Sequence, residues 1–360
     1  MRPVIHINGR FMTQPLSGVQ RFAIEISRAL ARVSHEDGEP PPVMLTPTAA
    51  IAENDAPALP RRTTGRWHGQ IWEQLELPWA ARGGILLNLG NTAPLWGGAR
   101  VVIIHDAGIF SQPGSYSWKF RLWYRFLHTL LRHSRARLVT VSEFSRTELS
   151  RYLHIAPRRI AVMSEGADHI ARVTADPSIL IRHDLRPNGF VLAVGNLAPH
   201  KNLARLGMLA RVLALRGVEL VISGSVNSAV FNASGARNLP EPAIYVGRVS
   251  DPELRALYES AACFVFPSLY EGFGLPPLEA MSCGCPVVVA DIPVLHEICG
   301  DAALYADPLD PEAITRRVTE ILDAPAIAQE MRAAGRARAA SHTWDRAART
   351  LLDIARGTTP

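Results

Sequence analysis

Apolar and polar positions along the chain fall into blocks with two different periods. Short, mostly apolar runs, rich in Val, Ile and Leu, lie at 4–7, 85–89, 101–104, 138–141 and 160–163. They are too short for buried helices, and their largely apolar character fits strands covered on both faces, as in a parallel sheet. Residues 18–33 instead space their apolar side chains three and four apart, the pattern of an amphipathic helix. A Pro-rich surface stretch follows at 39–42. After residue 188 the pattern starts afresh. Strands are predicted at 190–194, 219–223, 244–246, 263–267 and 286–290, with helices at 203–215 and 252–260 and more helices to the end. Strands alternating with helices imply βαβ units and a parallel sheet.

The restart predicts two Rossmann-like α/β domains, 1–180 and 188–342, with 343–360 as a further helix. The segment 176–188, with two prolines and few apolar repeats, is the expected linker. A length of 360 residues suits two cores better than one. No internal repeat of solenoid length is apparent. Two such sheets are expected to face each other across a cleft at the carboxyl ends of their strands, where open α/β folds bind ligands.

Composition changes this picture little. Hydrophobic residues make up 48% and charged residues 20%, as in ordinary globular proteins. No apolar run is long enough to span a bilayer. The opening MRPVIHINGR reads as a strand and lacks the apolar region and cleavage site of a secretory signal, so a cytoplasmic location is expected. The net charge of +5 favours anionic partners, whether phosphorylated ligands, nucleic acid or an anionic membrane, without choosing among them. Cys263, Cys283, Cys285 and Cys299 include one C-x-C pair but no second pair and no well-spaced His, so they read as reduced, packed thiols and no metal is expected.

The most informative stretch runs from Tyr270 to Val288. Directly after a predicted strand, Gly272 and Gly274 flank Phe273, and Pro276 and Pro277 then open a helix. Glycines let the backbone approach a ligand, and a helix N-terminus attracts phosphate. Glu271 lies in the loop and Glu279 one turn into the helix; a carboxylate can accept two hydroxyl hydrogens at once, which suits a sugar diol.

This E-x7-E stretch resembles the signature of retaining glycosyltransferases of the GT-B fold, particularly glycosyltransferase family 4, and the resemblance extends over nearly the whole chain. It implies a nucleotide-sugar donor, with Glu279 at the nucleotide ribose and Glu271 at the donor sugar. Phe273, Gly274 and Leu275 match the loop whose amides approach sugar and phosphate. Val194-Gly195-Asn196 and the following Pro199-His200-Lys201-Asn202 resemble the family's segment facing the donor diphosphate. Gly195 and Asn196 are thus donor-loop residues, and Lys201 the cation that stabilises the departing charge. Many relatives carry Arg where this chain has Asn196. His105, followed by Asp106, stands where relatives place a histidine facing the transferred sugar. Gly18, at a helix start, resembles the family's glycine-rich loop, although this chain has one glycine where many relatives have two or three; Asn8 and Arg10 in the same loop are acceptor candidates. Glu165-Gly166-Ala167-Asp168 resembles an N-G-V-D segment near the inter-domain hinge, with Glu replacing Asn.

The implied reaction is transfer of a hexose, mannose from GDP-mannose being preferred, to a hydroxyl of a saccharide or lipid-linked acceptor, with retention and without metal or other cofactor. The base pocket is expected near Ser223, Gly224 and residues 247–249, and nothing there separates guanine from uracil. A nicotinamide dehydrogenase is disfavoured, because no G-x-G-x-x-G follows the first predicted strand of this chain. Two alternatives stay open: a non-catalytic nucleotide-sugar binding protein and a sugar-phosphate synthase of the same fold. Nucleic acid is not an expected partner. Residues 118–137 carry Arg121, Arg125, His128, Arg132 and Arg135 in one helical stripe beside Phe120, Leu122, Trp123, Phe126, Leu127, Leu130 and Leu131. This pattern fits either an interfacial helix holding the protein peripherally at the inner face of a cell membrane, or a packed helix with a solvated Arg face.

Overall fold

A computed structural model describes residues 3–48, 57–224 and 239–357. The chain divides into two compact units: Met1–Phe110, Leu122–Gly166 and Thr343–Pro360 form the first, and Ser111–Arg121 with Ala167–His342 the second. The chain first leaves the first unit at Phe110 and finally leaves it at Gly166, ahead of the segment expected as a linker; that segment instead contains a helix, Ser178–Arg182, and is tied into the second unit by Asp176 N–H to the Pro252 carbonyl (2.9 Å) and Asn188 N–H to the Ser260 carbonyl (2.7 Å).

The first unit holds a seven-stranded parallel sheet. Its strands are β1 (Val4–Asn8), β2 (Val43–Thr46), β3 (Arg61–Thr63), β4 (Gly84–Asn88), β5 (Arg100–Ile103), β6 (Arg137–Thr140) and β7 (Ile160–Val162), in the order β3-β2-β1-β4-β5-β6-β7. Ile7 lies opposite Met44 on one side and Leu87 on the other, and all three are fully buried, as a central parallel strand requires. Strands β2 and β3 do not stand out in the sequence: β2 is four residues long behind a proline run, and β3 is an exposed Arg-Arg-Thr with no apolar residue. The helix Gly18–Glu36 buries Phe22, Ile26 and Leu30, and the helix Trp344–Arg356 packs against it. Trp344 is fully buried edge-on to Phe22, at 5.7 Å between ring centroids, and Arg32 pairs with Asp345 at 2.6 Å.

The second unit holds six parallel strands: β8 (Phe190–Val194), β9 (Glu219–Ser223), β10 (Ile244–Gly247), β11 (Cys263–Phe266), β12 (Val287–Ala290) and β13 (Leu304–Ala306), in the order β10-β9-β8-β11-β12-β13. Val191, Ile222, Val265 and Val288 from the sheet meet Leu209 and Leu213 of the helix Gly207–Leu215 and Val318 of the helix Pro311–Asp323 in one core. Strand β13, only Leu-Tyr-Ala, escaped the sequence reading for the same reason as β2. In each sheet the order reverses beside the first strand, between β1 and β4 and between β8 and β11. The crevice outside the carboxyl ends of such a strand pair is where open α/β sheets take ligands.

Candidate active site

The reversal between β8 and β11 explains why two motifs far apart in sequence meet. The loop after β8 carries Gly195 to Lys201, and the loop after β11 carries Glu271 to Leu275. Their side chains close on each other: Lys201 Nζ donates to Glu271 Oε1 at 2.6 Å, with both side chains largely buried, and lies 5.4 Å from the Phe266 ring centroid. A cation and a carboxylate held this way present both signs of charge at one place, and a diphosphate arriving there gains a counter-charge already desolvated.

The rest of the first loop is built to hold that lysine. Asn202 takes a left-handed conformation (φ 59°), and its amide donates to the carbonyls of Pro267 (3.0 Å) and Pro308 (2.7 Å), so it is a structural tie. Asn196 turns onto its own loop, accepting from Ala198 N–H at 3.3 Å, rather than standing in for the missing arginine. His200 is buried and stacks with Tyr116 at 6.3 Å; burial, then the neighbouring Lys201 charge, lower it to about 3, so its ring is neutral. Gly195 N–H donates to the Ser223 carbonyl, and a Cβ on Gly224 would stand 1.7 Å from the Gly195 oxygen. Ser223 Oγ and Gly224 N–H both donate to the Gly247 carbonyl, at 3.1 and 2.9 Å, so the residues expected at the base pocket form one knitted edge beside Gly195.

In the second loop, Gly274 caps the helix Leu275–Ser282 with φ 97°, a left-handed value that favours glycine. The two prolines remove N–H groups from the second and third helical positions, so the donors facing a ligand here belong to the loop and to Leu275. Phe273 is buried edge-on to His342, at 6.1 Å. Glu279 lies one turn into the helix, buried, with Oε1 2.9 Å from His169 Nε2 and Oε2 accepting from the Tyr258 hydroxyl at 3.1 Å. Burial and the Glu279 charge keep the Tyr258 phenol protonated well past its ordinary value, so it remains a donor. Neither His169 nor Tyr258 is singled out by the sequence pattern. His169 follows directly on the Glu165–Asp168 segment, which is the one signal that pointed near it; Tyr258 looks like any core aromatic of an amphipathic helix.

The first unit places His105 just past β5, where every polar group of the residue has a partner. Its backbone N–H donates to Asn91 Oδ1 (2.8 Å) and its carbonyl accepts from Ser145 Oγ (3.0 Å). In the ring, Nε2 faces the Leu89 carbonyl at 3.0 Å and Nδ1 faces Glu165 Oε1 at 3.4 Å. A carbonyl and a carboxylate can only accept, so an imidazolium alone satisfies both nitrogens. Burial works against that charge, but the Glu165 hydrogen bond and charge, the Leu89 carbonyl and Asp106 outweigh it and hold His105 above its ordinary value. Phe22 meets the ring edge-on at 4.5 Å. Asp106 accepts from Gly108 N–H and caps the turn. At Gly18 an added Cβ would meet nothing within 4 Å, so packing does not demand the glycine. Asn8 and Arg10 join a buried polar cluster at the β1/β4 reversal: Asn8 donates to Glu73 (2.7 Å) and Asn88 (3.0 Å), and Arg10 to Thr92 (2.7 Å).

The helix Trp118–Leu131 departs from the basic stripe read in the sequence. His128 is buried, its Nε2 at 2.8 Å from the Asn91 carbonyl, and burial lowers it to about 4, so it carries no charge. The exposed large side chains are Trp118, Leu122, Phe126 and Leu130, four residues apart, so the outward stripe is apolar with Lys119 and Arg125 beside it. No helix among the described residues is long and apolar enough to cross a membrane. No cluster of three or more potential metal-ligating side chains occurs among the described residues.

Residues 183–338 match the family described as "Glycosyl transferases group 1". The chain is 36% identical over 256 residues to O-antigen chain mannosyltransferase B of Escherichia coli, a match covering 68% of this chain and 67% of the relative. It is 28% identical over 228 residues to O-antigen chain mannosyltransferase RfbU of Salmonella typhimurium, covering 63% and 62% of the two chains. In structure it is similar to HepE of Anabaena, solved in complex with UDP and glucose, with a TM-score of 0.74, 16% identity, and 98% and 99% of the two chains covered.

Proposed function

The chain belongs to the glycosyl transferases group 1 and has the two-Rossmann GT-B fold, and from that premise we propose that it moves a mannosyl residue from GDP-mannose to a hydroxyl of a saccharide or lipid-linked acceptor in surface-polysaccharide synthesis. Mannose is favoured by the names of the relatives, which are O-antigen mannosyltransferases over about two thirds of their length. The observation that carries the reading is the Lys201–Glu271 pair at the β8/β11 reversal, with the Phe273–Leu275 amides beside it.

In this proposal the diphosphate sits against Lys201 and the loop amides, the ribose against Glu279, and the mannose against Glu271. Lys201 leaves Glu271 for the phosphate as the donor binds, and the freed carboxylate takes sugar hydroxyls. His169 and Tyr258 hold the Glu279 carboxylate in one orientation and leave its remaining lone pairs for the diol. Transfer proceeds with retention. The acceptor oxygen bonds to the anomeric carbon on the face from which the nucleotide departs, the breaking C–O bond leaves its electron pair on the phosphate, and the acceptor proton passes to that phosphate oxygen. Lys201 and the amides stabilise the charge, and no metal or other cofactor enters the proposal. His105 is assigned as a fixed cation required for transfer, since its ring nitrogens already have partners. The outward apolar stripe of Trp118, Leu122, Phe126 and Leu130 is assigned to peripheral contact with the membrane that bears the acceptor.

The test is transfer of labelled mannose from GDP-mannose to a lipid-linked oligosaccharide, with the product's anomeric configuration read by NMR. Lys201→Ala and Glu279→Ala should abolish transfer while leaving the thermal transition near that of the parent. Wild-type turnover in both variants would remove the site assignment, and an inverted product would remove retention.

A further inference from the structure

A second apolar surface lies on the first unit, well away in sequence from the helix Trp118–Leu131. Residues 69 to 80 are helical apart from a turn at Glu76, through Gly69–Leu75 and Leu77–Ala80, with Trp67 leading in through an extended His68; Trp72 N–H is bonded to the His68 carbonyl and Glu76 N–H to that of Trp72. One face of this segment does what an amphipathic helix should: Trp72, Leu77 and Ala81 are buried in a core with Leu45 and Leu86. The opposite face, which should be polar, is not. Trp67, Ile71, Leu75 and Trp79 follow each other at four-residue spacing, and each is at least 50% exposed. Trp96, 40% exposed, extends the strip, edge-on to Trp79 at 5.6 Å. Nothing in the folding of the unit requires these side chains to be large and apolar, and a contiguous exposed strip of this kind marks a contact surface.

Charge identifies the partner. Arg61, Arg62, Arg66 and Arg82, on the same stretch of chain, are exposed. Arg82 lies over the Trp79 ring, 3.3 Å from its centroid, and Arg62 donates to the Ala80 carbonyl. Between residues 57 and 100 the acidic side chains are Glu73, buried, and Glu76, half-buried, whose carboxylate accepts the N–H groups of Arg66 (2.9 Å) and Trp67 (3.0 Å). The stretch is therefore aromatic and aliphatic at its centre and net positive beside it, four exposed arginines against one half-buried carboxylate. Indole rings settle at the level of lipid headgroups, aliphatic side chains reach past them, and arginines pair with lipid phosphates. We propose that the strip Trp67–Ile71–Leu75–Trp79–Trp96, with the arginines beside it, docks on an anionic bilayer. This surface goes beyond the membrane role assigned above to the helix Trp118–Leu131 and stands without it.

The test is sedimentation of the purified full-length protein with vesicles of equimolar phosphatidylglycerol and phosphatidylcholine, against vesicles of phosphatidylcholine alone. The parent should bind the anionic vesicles and be released by salt. The triple variant Ile71→Gln, Leu75→Gln, Trp79→Ala, which changes exposed positions only, should lower the partition coefficient at least about tenfold, from lost apolar insertion. Arg62→Glu with Arg82→Glu should lower it by a similar factor and flatten the salt dependence. Unfolding midpoints and transfer to a soluble acceptor should stay as in the parent. Unchanged partitioning in the triple variant overturns the proposal. If partitioning falls only in Leu122→Gln, Phe126→Gln variants, the membrane role of that helix stands and this one fails. If the triple variant instead breaks a self-associated species in analytical ultracentrifugation without affecting vesicle binding, the strip is a contact between copies and the proposal also fails.

Discussion

Replacing Glu165 by Gln tests the charge state of His105 directly. In the parent, His105 and Glu165 form a pair whose side chains are 8% and 7% exposed. Because the folded-state value of His105 is raised, the pair stabilises the fold fully below the ordinary histidine range, and that stabilisation is lost as pH rises through the folded value. Gln keeps the shape but removes the counter-charge. Burial then dominates, and the folded-state value drops below the ordinary one. The histidine escapes the full penalty of about 3–5 kcal/mol for a broken buried pair by shedding its proton. What remains near neutrality is on the order of a buried polar group left poorly satisfied, about 1–3 kcal/mol. The gap between parent and variant should therefore be widest near pH 6 and narrow toward pH 9, whereas a simple packing role for Glu165 would leave the gap independent of pH. Urea unfolding across this range measures the gap, and nitrogen-15 NMR of the ring reports the charge. A gap independent of pH, or a neutral ring in the parent at pH 6, would refute the reasoning.

Three other outcomes follow from the same geometry. Trp344→Ala should cost about 3–5 kcal/mol of unfolding free energy, because a fully buried ring is lost between the helix Trp344–Arg356 and Phe22; a loss under about 1 kcal/mol would mean that helix is not part of the core. Tyr258→Phe should weaken GDP binding about fivefold by calorimetry, the equivalent of one neutral hydrogen bond of about 1 kcal/mol, with transfer at saturating donor little changed; no change would free Glu279 of its holder. Cys263, Cys285 and Cys299 are buried, and burial pushes the thiols of Cys263 and Cys299 up to about 12 and Cys285 well above its ordinary value. Cys283 is only partly buried, yet burial also pushes its thiol up to about 12. A thiol reagent should find at most Cys283 in the native protein and all four once the chain is unfolded; rapid modification of a second thiol before unfolding contradicts the packing.

How much of this was legible in the sequence depended on whether a signal was local. Strands β1, β4 and β8 are short apolar runs that little but a buried parallel strand explains. The loop from Glu271 to Leu275 announces itself through two glycines and two prolines. By contrast, β2, β3 and β13 are too short or too polar to show a period, and they join their sheets because neighbouring strands offer an edge. The proximity of Lys201 and Glu271 depends on strand order, which no spacing encodes. The basic stripe of residues 118–137 failed for a related reason: a helical wheel says which residues share a face, and tertiary packing decides which face is inward. His128 shares its stripe with arginines, yet that part of the helix turns into the unit, and the histidine gives up its charge to be there. The exposed strip from Trp67 to Trp79 carries no local signal that separates it from core, since only tertiary packing decides which of its apolar residues face outward.

The helix Trp344–Arg356 sets a condition on how the protein reaches its native state. The first unit is assembled from stretches near both extremes of the sequence, and its core closes only when Trp344 arrives against Phe22. The second unit, drawn mostly from the continuous stretch Ala167–His342, leaves the ribosome earlier than that closing helix. Long-range closure is slow, and domains fold as units during synthesis. The second unit is thus able to fold while the first still waits for the helix Trp344–Arg356, with Phe22 and its neighbours uncovered in the interval. A chain that stalls short of residue 344 would be one half finished and one half adhesive, a natural substrate for chaperones.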